Sequence, residues 1–431
     1  MKAHPLLIAT AASVALLAAL PFLLSQGLLN AAIQMLIAAL FACAYNVVCG
    51  QAGMLSFGHA AYFGVGAFST IHAMNALGAN GGMGLLPTPL LPLAGAFGGL
   101  CVGAVAGWFA TKRSGTYFAM ITLAIAELIH ALAPHLKGWF GGEAGVSTMR
   151  MPSMGLSWGS TTQVYYLTLA WVLASIGLLY FYKRTPVGQL ALGLRENSHR
   201  LAFLGYDVHR LSVLVFAIST MFAGLAGGLQ VIGNEAANYV LFDASLSATV
   251  VLNTYIGGVK VLLGPALGAA LMTFFGYVVS DLTQSWLLYQ GILFVIVMLF
   301  MPDGLAGLFG RLALLRRQYG SAALLPMLLV ATLAVLLLTG AGVFLVELLQ
   351  RLFAQDYRAI ARANPLAPWP PVALFGVRWA PGAVLTWLVP LVLLAAGGAL
   401  GQLARRWLAA LPERRPSLAR PNRDETLQGT T

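Results

Sequence analysis

Long apolar runs, separated by short polar segments, follow one another along most of the chain. Ten runs precede residue 302 and begin near Leu6, Leu29, Ala60, Pro89, Gly115, Val164, Leu211, Asp243, Val261 and Ser285. Two more occupy residues 322–346 and 383–403. Most are about 20 residues long, which is the length of a helix that crosses a bilayer. The pattern therefore predicts twelve membrane helices. The eighth run, 243–256, is short, and a half-helix or re-entrant segment is the alternative there.

The positions of Lys and Arg predict the orientation of these helices. With the N-terminus inside, twelve crossings place residues 112–113, 183–210, 311–317 and the end of the chain on the inner side. This is the side on which membrane proteins concentrate basic residues. If the eighth run did not cross, residues 311–317 would lie outside, so the charge pattern favours a crossing.

The composition excludes several classes of protein. Hydrophobic residues make up 59% of the 431-residue chain and charged residues only 9%. Soluble domains carry about 25% charged residues, so a soluble enzyme, a disulfide-rich secreted scaffold and a disordered protein are excluded. The net charge of +11 does not indicate nucleic-acid binding, because the basic residues flank the apolar runs. Cys43, Cys49 and Cys101 lack metal-ligand spacing, so no metal site is predicted.

The sequence thus predicts an all-α, polytopic membrane protein in a lipid bilayer. Residues 1–318 form a core of about ten helices, residues 319–404 an additional hairpin of two transmembrane helices, and residues 405–431 a basic cytoplasmic tail. Glycines cluster inside the apolar runs, at 64–66, 98–107 and 224–228. Small residues at such spacing let helix backbones approach closely in lipid. Packing is the first interpretation, and a bundle that rocks or shears during transport is the second.

Several polar residues lie at membrane depth, where protein or a water-filled path must satisfy them. His59 is expected to be a hydrogen-bonded structural residue or a substrate contact. Glu127 is expected to pair with His130, one helical turn away, as a structural bridge, as part of a pathway lining, or as a proton relay. Pathway lining and helix–helix bonding remain equally open for the others, which are Asn46, Gln51, Ser56 and Asn253.

An amphipathic helix is predicted on the inner side, over residues 186–205. Pro186 suits a helix start and Gly205 a stop. Leucines recur at helical spacing opposite charged residues, with Leu190, Leu194, Leu201 and Leu204 facing away from Arg195, Glu196 and Arg200. Such a helix can lie on lipid headgroups or insert into a groove on a partner protein, and the spacing alone leaves both open.

Three segments together resemble the branched-chain amino acid ABC transporter permease family, in particular its M-type subunit. They are residues 50–68, which contain Gly50-Gln-Ala-Gly-Met-Leu-Ser-Phe-Gly-His59, residues 115–127, and residues 185–208. The outer-loop segment Gly141-Gly-Glu-Ala-Gly145 and the closing segment that begins at Met301 are also similar to the family's. The resemblance extends from about residue 28 to residue 310, and the two added helices and the tail lie outside it.

The resemblance implies a permease subunit of the bacterial inner membrane that imports branched-chain or other hydrophobic amino acids. The implied partners are a homologous second permease, two cytoplasmic ATPase subunits and a periplasmic substrate-binding protein, with no nucleic acid. The chain has no Gly-x-x-x-x-Gly-Lys-Ser/Thr segment, so ATP would be hydrolysed by the separate ATPase. The chain is therefore expected to bind no cofactor and not to be an enzyme.

Two alternative functions stay open. Urea or short amides suit the same family, because the binding protein largely selects the substrate. A self-contained, ion-coupled secondary transporter would instead use Glu127 and His130 as its ion site.

The resemblance also assigns roles to individual residues. Those matched to the family's coupling helix are expected to engage the ATPase, and they are Arg195, Glu196, Asn197, Leu204 and Gly205. The candidates for the translocation pathway are Asn46, Gln51, Ser56, His59, Tyr117, Thr122 and Glu127.

Overall fold

A computed structural model describes residues 4–79, 86–301, 303–363 and 369–410. The chain forms two compact units, which meet between Leu308 and Phe309. This division falls inside a helix, ahead of the boundary predicted at residue 318. Of the predicted tail, residues 411–431 lie outside the described residues.

The first unit is helical almost throughout. Its helices are α1 (His4–Leu23), α2 (Gln26–Asn46), α3 (His59–Ala79), α4 (Pro92–Ala110), α5 (Thr116–Leu132), α6 (Lys137–Phe140), α7 (Thr161–Tyr182), α8 (Pro186–Phe203), α9 (Val208–Asn234), α10 (Ala244–Gly257), α11 (Gly264–Ser280) and α12 (Trp286–Phe300). A helix α13 (Gly304–Tyr319) begins in this unit and continues past its end. Two short strands, β1 (Val146–Ser147) and β2 (Ala236–Ala237), pair antiparallel in the loops.

Every predicted apolar run contains a helix in the structure, and the order agrees, so the predicted fold class is confirmed. Within the described residues, six helical stretches are long and apolar enough to cross a membrane. The number rises to seven if α12 and α13, which are bent by 44° at their junction, form one span. The other helices are shorter or less apolar, so the predicted total of twelve crossings stays a prediction.

Glycines hold the centre of the bundle together, where α3, α4 and α9 meet. A Cβ atom at Gly66 would lie 2.1 Å from the carbonyl oxygen of Gly224, and one at Gly95 would lie 2.6 Å from the same oxygen. The backbones of three helices are therefore in contact at this point, which we call the glycine junction (Gly66, Gly95, Gly99 and Gly224). The close approach predicted from the glycine spacing is confirmed.

Side-chain contacts define two ends of the bundle. At one end, which the charge pattern predicts to be inner, Thr111 Oγ1 lies 3.1 Å from His209 Nδ1. At the opposite end, Arg150 forms an ion pair with Glu235, with Nε and Oε1 3.0 Å apart. Residues 112–113 and 183–210 therefore share a side, as the sequence predicted.

Helix α10 runs between these two ends. It follows the 3₁₀ helix Tyr239–Phe242, whose Tyr239 ring packs against His130 near the outer end of α5. Beyond its other end, the carbonyl oxygen of Val259 lies so close to Gly50 that a Cβ there would approach it within 2.7 Å. This course agrees with the predicted crossing, although 14 residues of helix extend only about 21 Å.

The second unit contains α14 (Ser321–Phe353) and α16 (Val384–Ala410), which pack against each other as the predicted hairpin. Their connection holds α15 (Gln355–Ala363) and an antiparallel pair of strands, β3 (Val372–Leu374) and β4 (Val377–Trp379). A small apolar cluster joins α14 to β3 through Phe344, Leu348, Val372 and Leu374. Neither α15 nor these strands were predicted from the sequence of this connection.

Candidate functional site

His59 is fully buried near the middle of the first unit and uses both ring nitrogens. Its Nδ1 lies 3.2 Å from Ser56 Oγ, and its Nε2 lies 2.8 Å from Ser219 Oγ. Ser219 in turn donates to the carbonyl oxygen of Ala44, at 2.6 Å. His59 thereby links α2, α3 and α9, and this arrangement favours the structural interpretation over a substrate contact.

The polar segment that precedes α3 is also satisfied by protein. The backbone N–H of Phe57 donates to Thr122 Oγ1 at 3.3 Å, and Thr122 donates to the carbonyl oxygen of Ala119 at 2.8 Å. The N–H of Ala60 donates to Ser247 Oγ at 2.9 Å. Three of the predicted pathway residues, Ser56, His59 and Thr122, therefore lie in one buried network that fastens this segment to α5, α9 and α10.

Two other predicted residues, Tyr117 and Glu127, lie on the exposed side of α5. No ion pair in the described part of the chain joins Glu127 to His130, so the predicted pair is wrong. The ring of His130 packs instead on Tyr239, with the ring centroids 5.7 Å apart. A spacing of three residues allows such a pair on one helix face. His130, however, packs toward the neighbouring 3₁₀ helix, and Glu127 is exposed on α5.

The last two predicted pathway residues, Asn46 and Gln51, lie at a distortion that follows α2, one just before it and one at its end. Residues Val47–Gln51 form one turn of π-helix, and all five are buried. The Oδ1 atom of Asn46 and both side-chain polar atoms of Gln51 are buried without a hydrogen-bond partner in the described structure. Single π-helical turns occur frequently at functional sites, and buried polar atoms without partners are rare in proteins. We therefore still interpret Asn46 and Gln51 as candidates for lining the translocation pathway.

A cavity of 210 Å³ lies between α2, α3, α9, α10 and α11. The apolar part of the lining includes Ile37, Phe41, Phe63, Leu241, Leu246 and Val250. The polar part consists of neutral side chains, namely Gln34, Gln230, Thr249, Asn253 and Thr273. We call this space the amide cavity.

Asn253 is the most buried polar residue of the amide cavity. It is 4% exposed, and its Oδ1 has no hydrogen-bond partner in the described structure. The cavity therefore offers a hydrogen-bonding group beside apolar walls, and this combination suits a small molecule with one polar and one apolar part.

Sequence reasoning considered Asn253 but missed the other polar residues of this cavity. Gln34 and Gln230 lie singly in apolar runs on α2 and α9, and Thr273 lies on α11. An isolated amide side chain within an apolar run can be used to predict a functional residue at membrane depth. What the sequence could not supply is which helices are neighbours.

The inner helix α8 differs from its prediction in one respect. It begins at Pro186, where Thr185 accepts from the N–H of Gly188, and Gly205 beyond its end has a φ of +87°. At Asn197, however, the backbone leaves the helical region, with φ −163° and ψ 99°. The side chain of Asn197 accepts from the N–H of Arg200 at 3.0 Å and so starts a second helical piece. The prediction of one continuous helix is therefore wrong.

The proposed coupling residues differ in what they contact. Glu196 and Asn197 are exposed, and Leu204 is 66% exposed next to Phe203, which is 92% exposed. Arg195 also has exposed parts, but its guanidinium turns toward the bundle and donates to the carbonyl oxygen of Gly50.

Apolar helices of membrane-crossing length and a core in which helix backbones touch define a multi-pass membrane protein. The chain belongs to the family described as branched-chain amino acid transport system / permease component, which matches residues 27–302. The predicted family is therefore confirmed, over nearly the range that the motifs indicated.

Individual relatives agree with this assignment. The chain is 26% identical over 309 residues to LivM, a permease protein of the high-affinity branched-chain amino acid transport system of Salmonella typhimurium, covering 66% of this chain and 71% of that protein. It is 24% identical over 289 residues to LivH of the same organism and to BraD of Pseudomonas aeruginosa, covering 62% of this chain and 91% of each relative. No solved structure matches the chain significantly.

Proposed function

We propose that this chain is a membrane subunit of an ATP-driven importer in the bacterial inner membrane, and that it carries branched-chain or other hydrophobic amino acids. Membership of the permease family supports the transport role. The substrate named for LivM, LivH and BraD supports the choice of amino acid.

The amide cavity is the observation that carries the proposal for the substrate. Phe41, Phe63 and Val250 offer an apolar surface for an aliphatic side chain, while Gln230 and Asn253 offer amide groups for the polar end of the molecule. The lining side chains are all neutral, so they would hold a zwitterion weakly. Weak binding suits a pathway, because the substrate must leave as readily as it enters.

The remaining subunits follow from the same proposal. A homologous second permease would complete the membrane part, two cytoplasmic ATPase subunits would supply the energy, and a periplasmic protein would deliver the substrate. The exposed apolar residues Phe203 and Leu204 on the inner side support a docking site for the ATPase. Glu196 and Asn197 lie beside them and belong to the same proposed surface.

Reconstitution tests this function. The chain is placed in liposomes with a second permease of this family and an ATPase from the same organism, a binding protein is added outside, and uptake of labelled leucine is followed with ATP inside. We expect uptake that requires ATP and the binding protein, and that stops with an ATPase unable to hydrolyse ATP. Labelled urea and acetamide are run in parallel, and so is a proton gradient without ATP.

The uptake experiments test the proposed substrate and the proposed mechanism separately. Preferred uptake of urea or acetamide would contradict the proposed substrate and leave the ATP-driven mechanism in place. Leucine uptake driven by a proton gradient alone, without the ATPase, would contradict the mechanism itself.

A further inference from the structure

Arg195 joins the inner helix to the π-helical turn. Its Nη1 atom donates to the carbonyl oxygen of Gly50 at 2.6 Å. Gly50 belongs to the turn Val47–Gln51, where carbonyl oxygens at a helix end carry partial negative charge. A cationic donor at this end forms a stronger hydrogen bond than a neutral donor would. The contact spans 145 positions of sequence, so it connects two separate elements.

The stem of the same side chain is held in place by a glycine. A Cβ atom at Gly53 would lie 3.0 Å from Arg195 Cγ and 3.2 Å from Arg195 Cα. Gly53 also has a φ of +70°, a conformation that glycine adopts without strain. The chain after the π-helical turn therefore passes directly against Arg195 and leaves no room for a side chain at residue 53.

A second contact continues from the π-helical turn toward the amide cavity. Cys49 Sγ lies 3.4 Å from the hydroxyl of Tyr255 on α10. Two residues earlier on α10 is Asn253, which lines the cavity. A row of direct contacts thus runs from Arg195 through Gly50 and Cys49 to Tyr255, and ends on the helix that carries Asn253.

The break in α8 at Asn197 separates Arg195, where this row of contacts begins, from the end of the helix. Asn197 leaves the helical conformation two residues after Arg195, so the exposed piece with Phe203 and Leu204 is a separate segment. The N-terminal piece of α8, in contrast, is attached to the bundle through Arg195. Phe203 and Leu204 can therefore face a partner, while Arg195 on the first piece and Leu201 on the second are held against the bundle.

We propose that Arg195 is a positioning residue that transmits movement of the inner helix to the amide cavity through the π-helical turn, and that it does not bind the ATPase. This inference rests on the proposed function, since it assumes that an ATPase acts on α8. It changes the role expected for Arg195 from the family resemblance, and it leaves Glu196, Asn197 and Leu204 as the docking residues.

The test compares three variants in the reconstituted complex. Arg195→Met keeps an apolar stem against Gly53 and removes the donor, while Arg195→Lys keeps a cationic donor. Arg113→Met is the control, because Arg113 is an exposed arginine in the loop between α4 and α5 and lies outside α8. For each variant we measure ATPase co-purification, ATP hydrolysis, and leucine uptake per ATP hydrolysed.

We expect Arg195→Met to bind the ATPase and hydrolyse ATP normally, but to lose about tenfold in uptake per ATP. A tenfold loss corresponds to about 1.4 kcal/mol of coupling free energy. Arg195→Lys should recover much of the loss, and Arg113→Met should match the wild type. Tyr255→Phe, which removes the contact to Cys49, should lower the same ratio, and its combination with Arg195→Met should be less than additive.

Three results would overturn the inference. Loss of ATPase co-purification in Arg195→Met would place Arg195 on the docking surface. A normal ratio of uptake to ATP in that variant would show that the contact transmits nothing. Fully additive effects with Tyr255→Phe would show that the two contacts act independently. Failure of the proposed function is distinguishable from all of these, because the wild-type complex itself would then show no ATP-driven uptake.

Discussion

Replacing Gly224 by alanine tests the glycine junction. The new Cβ would lie 2.3 Å from the carbonyl oxygen of Gly95 and 2.9 Å from the Cα of Gly99. Ordinary contact begins at 3.4 Å, so α4 would have to move away from α9 by about 1.1 Å. Both obstructing atoms belong to the backbone, and no side-chain rotation can relieve the clash.

The expected loss of unfolding free energy in Gly224→Ala is the difference between two opposing contributions. Overpacking a tight core costs about 1–3 kcal/mol, and a backbone clash belongs at the upper end of that range. Alanine gains about 1 kcal/mol over glycine inside a helix. We therefore expect Gly224→Ala to lower the free energy of unfolding by about 2 kcal/mol.

The matched control lies on the same helix. A Cβ at Gly233 would meet Ile33 at 3.9 Å, which is ordinary contact, so Gly233→Ala should be neutral or slightly stabilising. Both variants are unfolded with SDS in mixed micelles, and helicity is followed by circular dichroism. Equal unfolding free energies for Gly224→Ala, Gly233→Ala and the wild type would refute the close contact of α4 and α9.

Three further predictions concern His59, Glu127 and the second unit. His59→Leu should lower the unfolding free energy by about 2 kcal/mol, because Ser56 and Ser219 each lose one buried hydrogen bond. His135→Leu should not lower it, because His135 is exposed, and equal losses would contradict the structural role of His59. Glu127→Gln should retain ATP-driven uptake with altered kinetics, and wild-type uptake from a proton gradient alone, abolished by this variant, would contradict that expectation. Truncation after Gln318 should leave folding, assembly and transport largely intact, and a truncated chain unable to assemble with its partner permease would show that α14 and α16 are integral to the transporter.

The helices of this protein were predictable because their signal is local. Apolar runs placed the six helical stretches that are long and apolar enough to cross a membrane, and Pro186 and Gly205 marked the limits of α8. The break at Asn197 was not predicted, because an asparagine side chain can either face solvent or cap a new helical piece, and the leucine spacing continues through it. The π-helical turn at Val47–Gln51 was missed for a similar reason, since nothing in its apolar sequence distinguishes one inserted residue.

The candidate site was less predictable, because it depends on which helices are neighbours. His59 and Asn46 were both chosen as candidates because they are polar residues at membrane depth. In the described structure His59 is hydrogen-bonded, whereas Oδ1 of Asn46 has no partner. Gln34 and Gln230 line one cavity although they are separated by nearly two hundred residues. Only the packing of α2 against α9 brings them together.

The most direct test of the amide cavity is leucine uptake by Asn253→Leu in the reconstituted complex. Leucine has a similar size and removes the polar group, and because Oδ1 of Asn253 has no partner in the described structure, the fold should not be weakened. We predict unchanged or higher stability, normal ATPase association, and uptake lowered by about tenfold, the effect of losing one hydrogen bond worth about 1.4 kcal/mol. Wild-type uptake by a correctly folded Asn253→Leu complex would contradict the assignment of this cavity to the translocation pathway.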